Sequence, residues 1–254
     1  MGASVFTDGK EIAYARDQPD GSWHLWMVAA DGGAARQLTT GKVPEIYPRF
    51  SPDGRTIFYN TWGTEPLSIW SVASTGGPAK SATAPGAASD SYGDVSPDGR
   101  SLVFTRTENK VSHIYIASTD GGGEARRVLD APGTVARWSP DGKWISFSPN
   151  RGFSSGVYLV HPDGTGVRRL TENGGWAVWW PDGEQIGFQI VGSDGNQQFQ
   201  VLNLKNGEIR TLPNLHFAGT NYPFDISRDG KRLVTTNTQH LSDEIWLLEP
   251  AEKK

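Results

Sequence analysis

One short turn sequence recurs along the chain at nearly constant spacing, and this repeat constrains the fold more than any other feature. The dipeptide Asp-Gly begins at Asp8, Asp53, Asp98, Asp141, Asp182 and Asp229, with spacings of 45, 45, 43, 41 and 47 residues. Three of the copies read Ser-Pro-Asp-Gly in full. Pro, Asp and Gly suit successive positions of a tight turn. A repeat of about 40–45 residues is typical of β-propeller blades.

The segments around each Asp-Gly predict four strands in every repeat. The residues that follow it align without a gap, as in KEIAYAR and RTIFYNT, and the third position is always Ile or Leu. Alternating apolar residues of this kind predict a strand with one buried face. A second apolar segment, a turn rich in Asp, Asn and Gly, and a short polar segment follow. One further apolar segment precedes each Asp-Gly turn.

These observations predict an all-β fold, a six-bladed β-propeller of four-stranded antiparallel blades, formed by residues 1–254 as a single domain. The sixth repeat is the exception, because no clear fourth strand follows Ile245–Leu248. Three explanations stay open: the last blade is incomplete, the N-terminal residues complete it, or the chain is part of a longer protein.

Composition and charge exclude several classes of function. The chain has no Cys, so disulfides and thiolate metal sites are excluded. Its net charge is −4, and no block of basic residues occurs, which argues against nucleic acid as a partner. No apolar run approaches the 18 residues of a membrane span, and the N-terminus has no signal-peptide pattern. We expect a monomer that does not insert into membranes.

The repeated pattern W/F-S-P-D-G-K/R-x-I-x-F, followed by I-W/Y-x-V, D-G-G and R-x-L-T, resembles the WD40-like PD40 repeat of the TolB family. The resemblance covers essentially the whole chain. It implies a bacterial propeller that is periplasmic and binds peptides or proteins at its central funnel, or one that is an appended domain of a larger protein. It transfers no functional residue, because the shared motif is structural.

The inner strand of each predicted blade supplies the candidate ligand-binding residues. Two positions before the Ser of the turn, four of the six repeats carry a charged residue: Arg49, Asp94, Arg137 and Asp225. These side chains point opposite to the apolar row. They form either a polar ring that binds a charged ligand or a belt of salt bridges that fills the axis.

Aromatic residues lie two positions further along the same strands. Tyr47, Tyr92 and Trp176 occupy this position, and Tyr222 is adjacent to it in the last repeat. At a funnel mouth such rings would stack on sugars or hold peptide side chains. The alternative is that they pack blade against blade.

No catalytic residues emerge from the sequence, and we expect neither a metal nor a cofactor. The segment Gly152–Gly156 matches G-x-S-x-G, but it lies between two predicted strands, whereas a nucleophile elbow requires a strand followed by a helix. The sequence therefore favours a non-catalytic module that binds a peptide or protein. A small-molecule or carbohydrate sensor, and a metal-dependent hydrolase or lyase, are the alternatives.

Overall fold

The computed structural model describes residues 3–5, 9–63, 65–84, 86–121, 123–150, 152–193, 195–212, 224–227, 229–239 and 242–248. The predicted turn residue Asp8 and the candidate site residue Tyr222 lie outside these ranges. Within them the regular elements are all strands, so no helix is available that could cross a membrane.

The strands form six antiparallel sheets, here numbered I to VI in chain order. The innermost strands are β1 (Ala3–Val5), β5 (Glu45–Phe50), β9 (Ser89–Val95), β13 (Thr134–Trp138), β17 (Gly175–Trp179) and β21 (Asp225–Ile226). The second strands are β2 (Glu11–Asp17), β6 (Thr56–Thr61), β10 (Ser101–Glu108), β14 (Ile145–Ser148), β18 (Gln185–Val191) and β22 (Leu233–Gln239).

The third strands are β3 (Trp23–Ala29), β7 (Ile69–Ala73), β11 (Val111–Ser118), β15 (Tyr158–Val160), β19 (Gln197–Asn203) and β23 (Ser242–Leu248). The outermost strands are β4 (Arg36–Gln37), β8 (Lys80–Ser81), β12 (Arg126–Arg127), β16 (Arg168–Arg169) and β20 (Ile209–Thr211).

Sheets I to V have four strands each, whereas sheet VI has three among the described residues, in the order β21–β22–β23. Sheets I to V thus have the predicted four strands, and the incomplete last sheet agrees with one of the three explanations that the sequence left open.

The sheets are arranged as a ring. Inner strands of consecutive sheets contact one another from β1 to β21, and β1 contacts both β21 and β22. Six apolar clusters join neighbouring sheets, and the cluster of Ile12 with Val234 joins sheet VI to sheet I. The chain thus folds as an all-β propeller.

Each sheet is covered on both faces, and this differs from the single buried face that the apolar alternation predicted. In β6, Ile57 packs towards sheet I while Phe58 packs towards sheet III, and both are buried. The polar Asn60 on the same strand is also buried, at 2% exposure. A sheet between two neighbours in a ring has no solvent face except at its edges.

The repeated turn has the hydrogen bonds expected for it. In the first complete copy the amide of Gly54 donates to the carbonyl of Ser51 at 2.9 Å, and Gly54 has φ +70°. The Ser51 hydroxyl donates to the Asp53 carboxylate at 2.6 Å and accepts from the amide of Thr56 at 3.0 Å. Ser and Asp are thus used structurally, to close the turn between the inner and second strands.

Candidate functional site

A β-bulge interrupts four of the inner strands at the same position. In sheet II the pairing moves from Ile46↔Asn60 to Arg49↔Phe58, so one extra residue enters the inner strand. The bulge places a side chain in the left-handed region in each case: Tyr47 at φ 54°, Tyr92 at 57°, Val135 at 54° and Trp176 at 54°. This conformation is uncommon for residues other than Gly and costs about 1–3 kcal/mol each. Bulges of this kind redirect a side chain.

Side chains of the preceding sheet stabilise two of these bulges. The Asn60 amide oxygen accepts from the backbone amide of Tyr92 at 3.0 Å, and its nitrogen donates to the Asp90 carbonyl at 3.0 Å. The Thr105 hydroxyl, at the same repeat position, accepts from the amide of Val135 at 3.1 Å. A polar residue at this buried position therefore fixes the inner strand of the next sheet.

The redirected side chains pack against one another in an aromatic cluster. Tyr92 lies 5.2 Å from Tyr47 and 5.2 Å from Trp176 between ring centroids, and Val135 and Phe153 complete the cluster. Tyr92 is 6% exposed and Trp176 is 4% exposed. The predicted candidates Tyr47, Tyr92 and Trp176 are thus brought together, but as packed rings and not as an open aromatic funnel.

The four charged candidates form a belt of two ion pairs. Arg49 Nη1 lies 2.8 Å from Asp225 Oδ1, and its Nη2 donates to the carbonyl of Phe224 at 3.1 Å. Asp94 Oδ2 accepts from the backbone amide of Trp138 at 2.8 Å. Arg137 Nη1 lies 3.6 Å from Asp94 Oδ1, which is beyond hydrogen-bond distance, and this buried nitrogen has no hydrogen-bond partner among the described residues.

Burial dominates the electrostatics of the second pair. It raises the pKa of the Asp94 carboxyl above its usual range, although the charges of Arg137 and Arg49 oppose the shift. Burial, followed by repulsion from Arg49, lowers the pKa of Arg137 to about 10. Arg137 is therefore protonated at neutral pH and remains a buried positive charge with spare hydrogen-bonding capacity.

The belt separates a small chamber from a larger cavity. On one side, a space of about 10 Å³ lies between the arginines and the rings of Tyr47, Tyr92 and Trp176, enough for roughly one water. On the other side, a cavity of about 290 Å³ is lined by the belt, by Trp138 and Trp179, and by the prolines of four turns, Pro52, Pro97, Pro140 and Pro181. We call this cavity the vestibule. It opens among the Pro-Asp-Gly turns, on the face away from the aromatic cluster.

A second polar cluster has the atom order of a nucleophilic triad. Ser22 Oγ lies 3.2 Å from His24 Nε2, and His24 Nδ1 lies 3.3 Å from Glu45 Oε2. However, the Ser22 hydroxyl donates to Asp20 at 2.6 Å. Its single hydrogen is used there, so His24 cannot remove it as a general base in this arrangement. The cluster instead joins sheet I to sheet II, because Thr39 also donates to Glu45.

Neither the motif at Gly152–Gly156 nor the histidines form a catalytic centre in the described part of the chain. Gly152 and Ser155 bond the side chain of Asn150 within a loop between β14 and β15. Among the described residues no three His, Asp or Glu side chains are grouped as metal ligands would be.

Comparisons with known proteins place these features in a family. The family described as the TolB beta propeller domain, PD40, matches residues 3–249. The Tol-Pal system protein TolB of Anaeromyxobacter dehalogenans (strain 2CP-C) is 31% identical over 113 residues, which are 44% of this chain and 25% of that protein. The match thus spans a quarter of the length of this curated relative.

Two solved structures show the same fold. TolB from Acinetobacter baumannii has a TM-score of 0.83 at 22% identity, covering 96% of this chain and 62% of that one. Oligogalacturonate lyase from Vibrio parahaemolyticus has a TM-score of 0.69 at 15% identity, covering 100% and 90%. One of these neighbours is named as an enzyme, so the fold does not decide between binding and catalysis. The match of the family model to residues 3–249, nearly the whole chain, shows that this protein belongs to the TolB beta-propeller domain family.

Proposed function

We propose that this propeller is a non-catalytic binding module that takes up a segment of a peptide or protein partner in the vestibule. The observation that carries the proposal is the floor of that cavity, where Arg49 and Arg137 alternate with Asp94 and Asp225 around the axis. Two cationic and two anionic groups match the donors and acceptors of a polypeptide segment. The side chain of Arg137 also has an unused donor, which favours an acceptor such as a carboxylate or a carbonyl oxygen.

The walls of the vestibule support a polypeptide ligand. Its rim consists of proline residues and of the partly or fully buried Trp138 and Trp179, so it is rigid before binding. Rigid sites lose little conformational entropy on association. Ligand pockets typically enclose about 300–1,000 Å³. At about 290 Å³ the vestibule admits a chain end or a few side chains, not a folded domain.

Family membership supports the same function. The relative from Anaeromyxobacter dehalogenans is named as a component of the Tol-Pal system. We propose a protein partner of comparable type for this chain, and a location that is periplasmic or within a larger bacterial protein. A single domain over residues 1–254 that requires no cofactor belongs to the same proposal.

Peptide selection with a blocked vestibule tests the proposal. A random peptide library is panned against the protein, and the Kd of each enriched peptide is measured for the wild type and for Pro140→Trp. Pro140 is an exposed turn residue at the rim, where most residue types are tolerated, so a Trp there narrows the entrance. The matched control is Pro162→Trp, in an outer Pro-Asp-Gly turn that does not line the vestibule.

We expect Pro140→Trp to weaken binding at least tenfold, and Pro162→Trp to leave it unchanged. Equal binding by both variants would contradict the proposal. A thermal-shift screen covers the alternatives, because only a ligand that prefers the native state raises Tm. A shift with a sugar and no enriched peptide would favour a carbohydrate sensor, and a shift with a divalent ion that a chelator abolishes would favour a metal enzyme.

A further inference from the structure

Neighbouring sheets form grooves at their outer parts, and the repeat makes these grooves comparable position by position. The groove between sheets IV and V has a volume of about 400 Å³. Trp144 occupies it, stacked on His161 at 3.7 Å between ring centroids, with the Arg168 guanidinium 4.8 Å from the Trp144 ring. An aromatic ring between an imidazole and a guanidinium therefore narrows this groove from within the chain.

The groove between sheets II and III has a volume of about 930 Å³, more than twice as large. Thr56, Ala73 and Lys80 line it at the positions of Trp144, His161 and Arg168. The strand pairing establishes the correspondence, because Ser71↔Lys80 in sheet II matches Leu159↔Arg168 in sheet IV. The ring that narrows groove IV/V is thus missing from groove II/III.

Two other grooves are closed by an arginine of the outermost strand. Arg36 donates across groove I/II to the carbonyl of Ser74 at 2.6 Å, and Arg126 donates across groove III/IV to the carbonyl of Pro162 at 2.5 Å. Lys80 occupies this position in sheet II, and its ammonium has no hydrogen bond or ion pair within the described residues. Among these four grooves, whose walls the structure describes, groove II/III alone has neither the ring nor the arginine.

The charges around groove II/III restrict what can enter it. Three exposed carboxylates, those of Asp53, Asp98 and Asp120, line the groove together with the single cation of Lys80. The excess of negative charge favours a basic ligand. The ring at this position in the sister groove favours an aromatic side chain, which Lys80 can approach as Arg168 approaches Trp144.

We propose that groove II/III is a docking site for an aromatic side chain of a partner polypeptide whose flanking residues are basic. The partner's ring takes the place that Trp144 occupies in groove IV/V, between the walls of sheets II and III. This site is separate from the vestibule, although Pro52 and Pro97 border both cavities. A partner that used both would be held at the axis and at one side of the ring.

Fluorinated peptides provide a direct test. The protein contains 10 Trp, so ligand fluorescence would be obscured, whereas ¹⁹F NMR observes only a peptide that carries 5-fluorotryptophan. The probes are acetyl-Lys-Trp-Lys-amide and acetyl-Glu-Trp-Glu-amide, with acetyl-Lys-Ala-Lys-amide as an unlabelled competitor. We expect the basic tryptophan peptide to bind at least fivefold more tightly than the acidic one, and the alanine peptide not to displace it.

Two variants close the groove in different ways. Thr56→Trp restores the ring of the sister groove and should weaken peptide binding at least tenfold. Lys80→Arg keeps the charge and introduces the arginine found at this position in sheets I, III and IV. With no ring of the chain beside it, we expect this arginine to span the groove as in sheets I and III and to weaken binding at least threefold. Ser101→Trp is the matched control, because it places the same ring at the equivalent position of sheet III, where Arg126 already spans the groove.

The outcomes separate this site from the vestibule. Loss of binding in Thr56→Trp and Lys80→Arg, with binding retained in Ser101→Trp and in Pro140→Trp, supports the proposal. Undetectable binding at millimolar peptide, equal affinity for the acidic probe, or unchanged binding in both groove variants overturns it. Loss in Pro140→Trp alone also overturns it, since the peptide then occupies the vestibule, as the proposed function allows.

Discussion

The pair of Arg49 with Asp225 joins sheet II to sheet VI across the axis, and its removal should destabilise the ring. The Arg49 side chain is 7% exposed and that of Asp225 is 17% exposed, and their nearest atoms are 2.8 Å apart. Substituting Asp225→Asn leaves a buried guanidinium without its counter-ion, which costs about 3–5 kcal/mol. The bond from Arg49 to the Phe224 carbonyl remains, so we expect the lower end, about 3 kcal/mol.

Urea unfolding followed by tryptophan fluorescence measures this loss, and a thermal scan should show Tm falling by about 6–12 °C. Asp130→Asn is the control, because that carboxylate is fully exposed although it pairs with Arg127 at 3.1 Å, and we expect no measurable change. The double variant Arg49→Met/Asp225→Leu removes both charges and should recover most of the stability. A change below about 0.5 kcal/mol in Asp225→Asn would refute the reasoning, because it would show that the pair is solvated.

Three further predictions concern the turns and the packing of the strands. Ser96→Ala should cost about 1–3 kcal/mol in urea unfolding, because the partly buried amide of Ser101 loses the buried hydroxyl to which it donates at 2.9 Å. The same hydroxyl lowers the pKa of the Asp98 carboxyl in the folded protein. The ionised carboxylate therefore stabilises the fold above the unfolded pKa near 3.8, and this stabilisation is lost as the pH falls through the folded pKa. In Ser96→Ala, carboxyl ¹³C NMR should show the pKa of Asp98 rising towards 3.8. Gly187→Ala should cost about 1–3 kcal/mol, since its Cβ would lie 2.4 Å from the Phe199 ring, whereas Gly86→Ala meets no atom within 4 Å and should be neutral; equal urea midpoints for the two would contradict this.

The repeat made the fold predictable because its turn has a strict local requirement. Each described copy needs a Gly at positive φ after Asp, as Gly54 and Gly99 show. Most copies also need a Ser whose hydroxyl is shared between a carboxylate and an amide. Trp180 takes the Ser position in sheet V, and the backbone bond from Gly183 to Trp180 persists. The turn is therefore visible in sequence even where one of its residues has changed.

The two buried faces of each sheet were not predictable from apolar alternation. Asn60 and Gln189 occupy the same repeat position on the second strands and are buried at 2% and 0% exposure. When each strand is considered alone, polar residues at such positions predict that this face of the strand is exposed to solvent. Here Asn60 is buried because its side chain forms hydrogen bonds with the inner strand of the next sheet. The two partners, Asp90 and Tyr92, lie 30 and 32 positions further along the chain.

The bulge explains why the aromatic candidates pack against one another and do not line an open funnel, the first of the two arrangements that the sequence left open. In a regular strand the side chains of Tyr47 and Arg49 would point in the same direction, but the extra residue in the bulge turns the Tyr47 side chain away from that direction. Tyr, Val and Trp rarely adopt positive φ, so their identity gives no indication of a bulge. In three of the four bulged strands a Gly lies within two residues of the residue at positive φ, whereas β5 has none. A Cβ on Gly93 would lie 3.2 Å from Ile69 and Leu102, and one on Gly133 would lie 2.8 Å from Ile114, so the inner strands pass too close to their neighbours for a side chain.

Differences between repeats carry more information about binding than the shared motif does. The shared residues, such as Ser51 and Asp53, form the hydrogen bonds of the turn in each complete copy, so they do not distinguish one repeat from another. Thr56 and Lys80 stand where other sheets have a ring or an arginine that closes a groove, and the result is a groove more than twice as large as the one between sheets IV and V. Likewise Arg137 and Arg49 occupy the same repeat position, but only Arg137 keeps an unpartnered nitrogen. Because the fold tolerates either residue at such positions, the departures from the repeat mark the places where a partner can replace a contact that the chain does not make with itself.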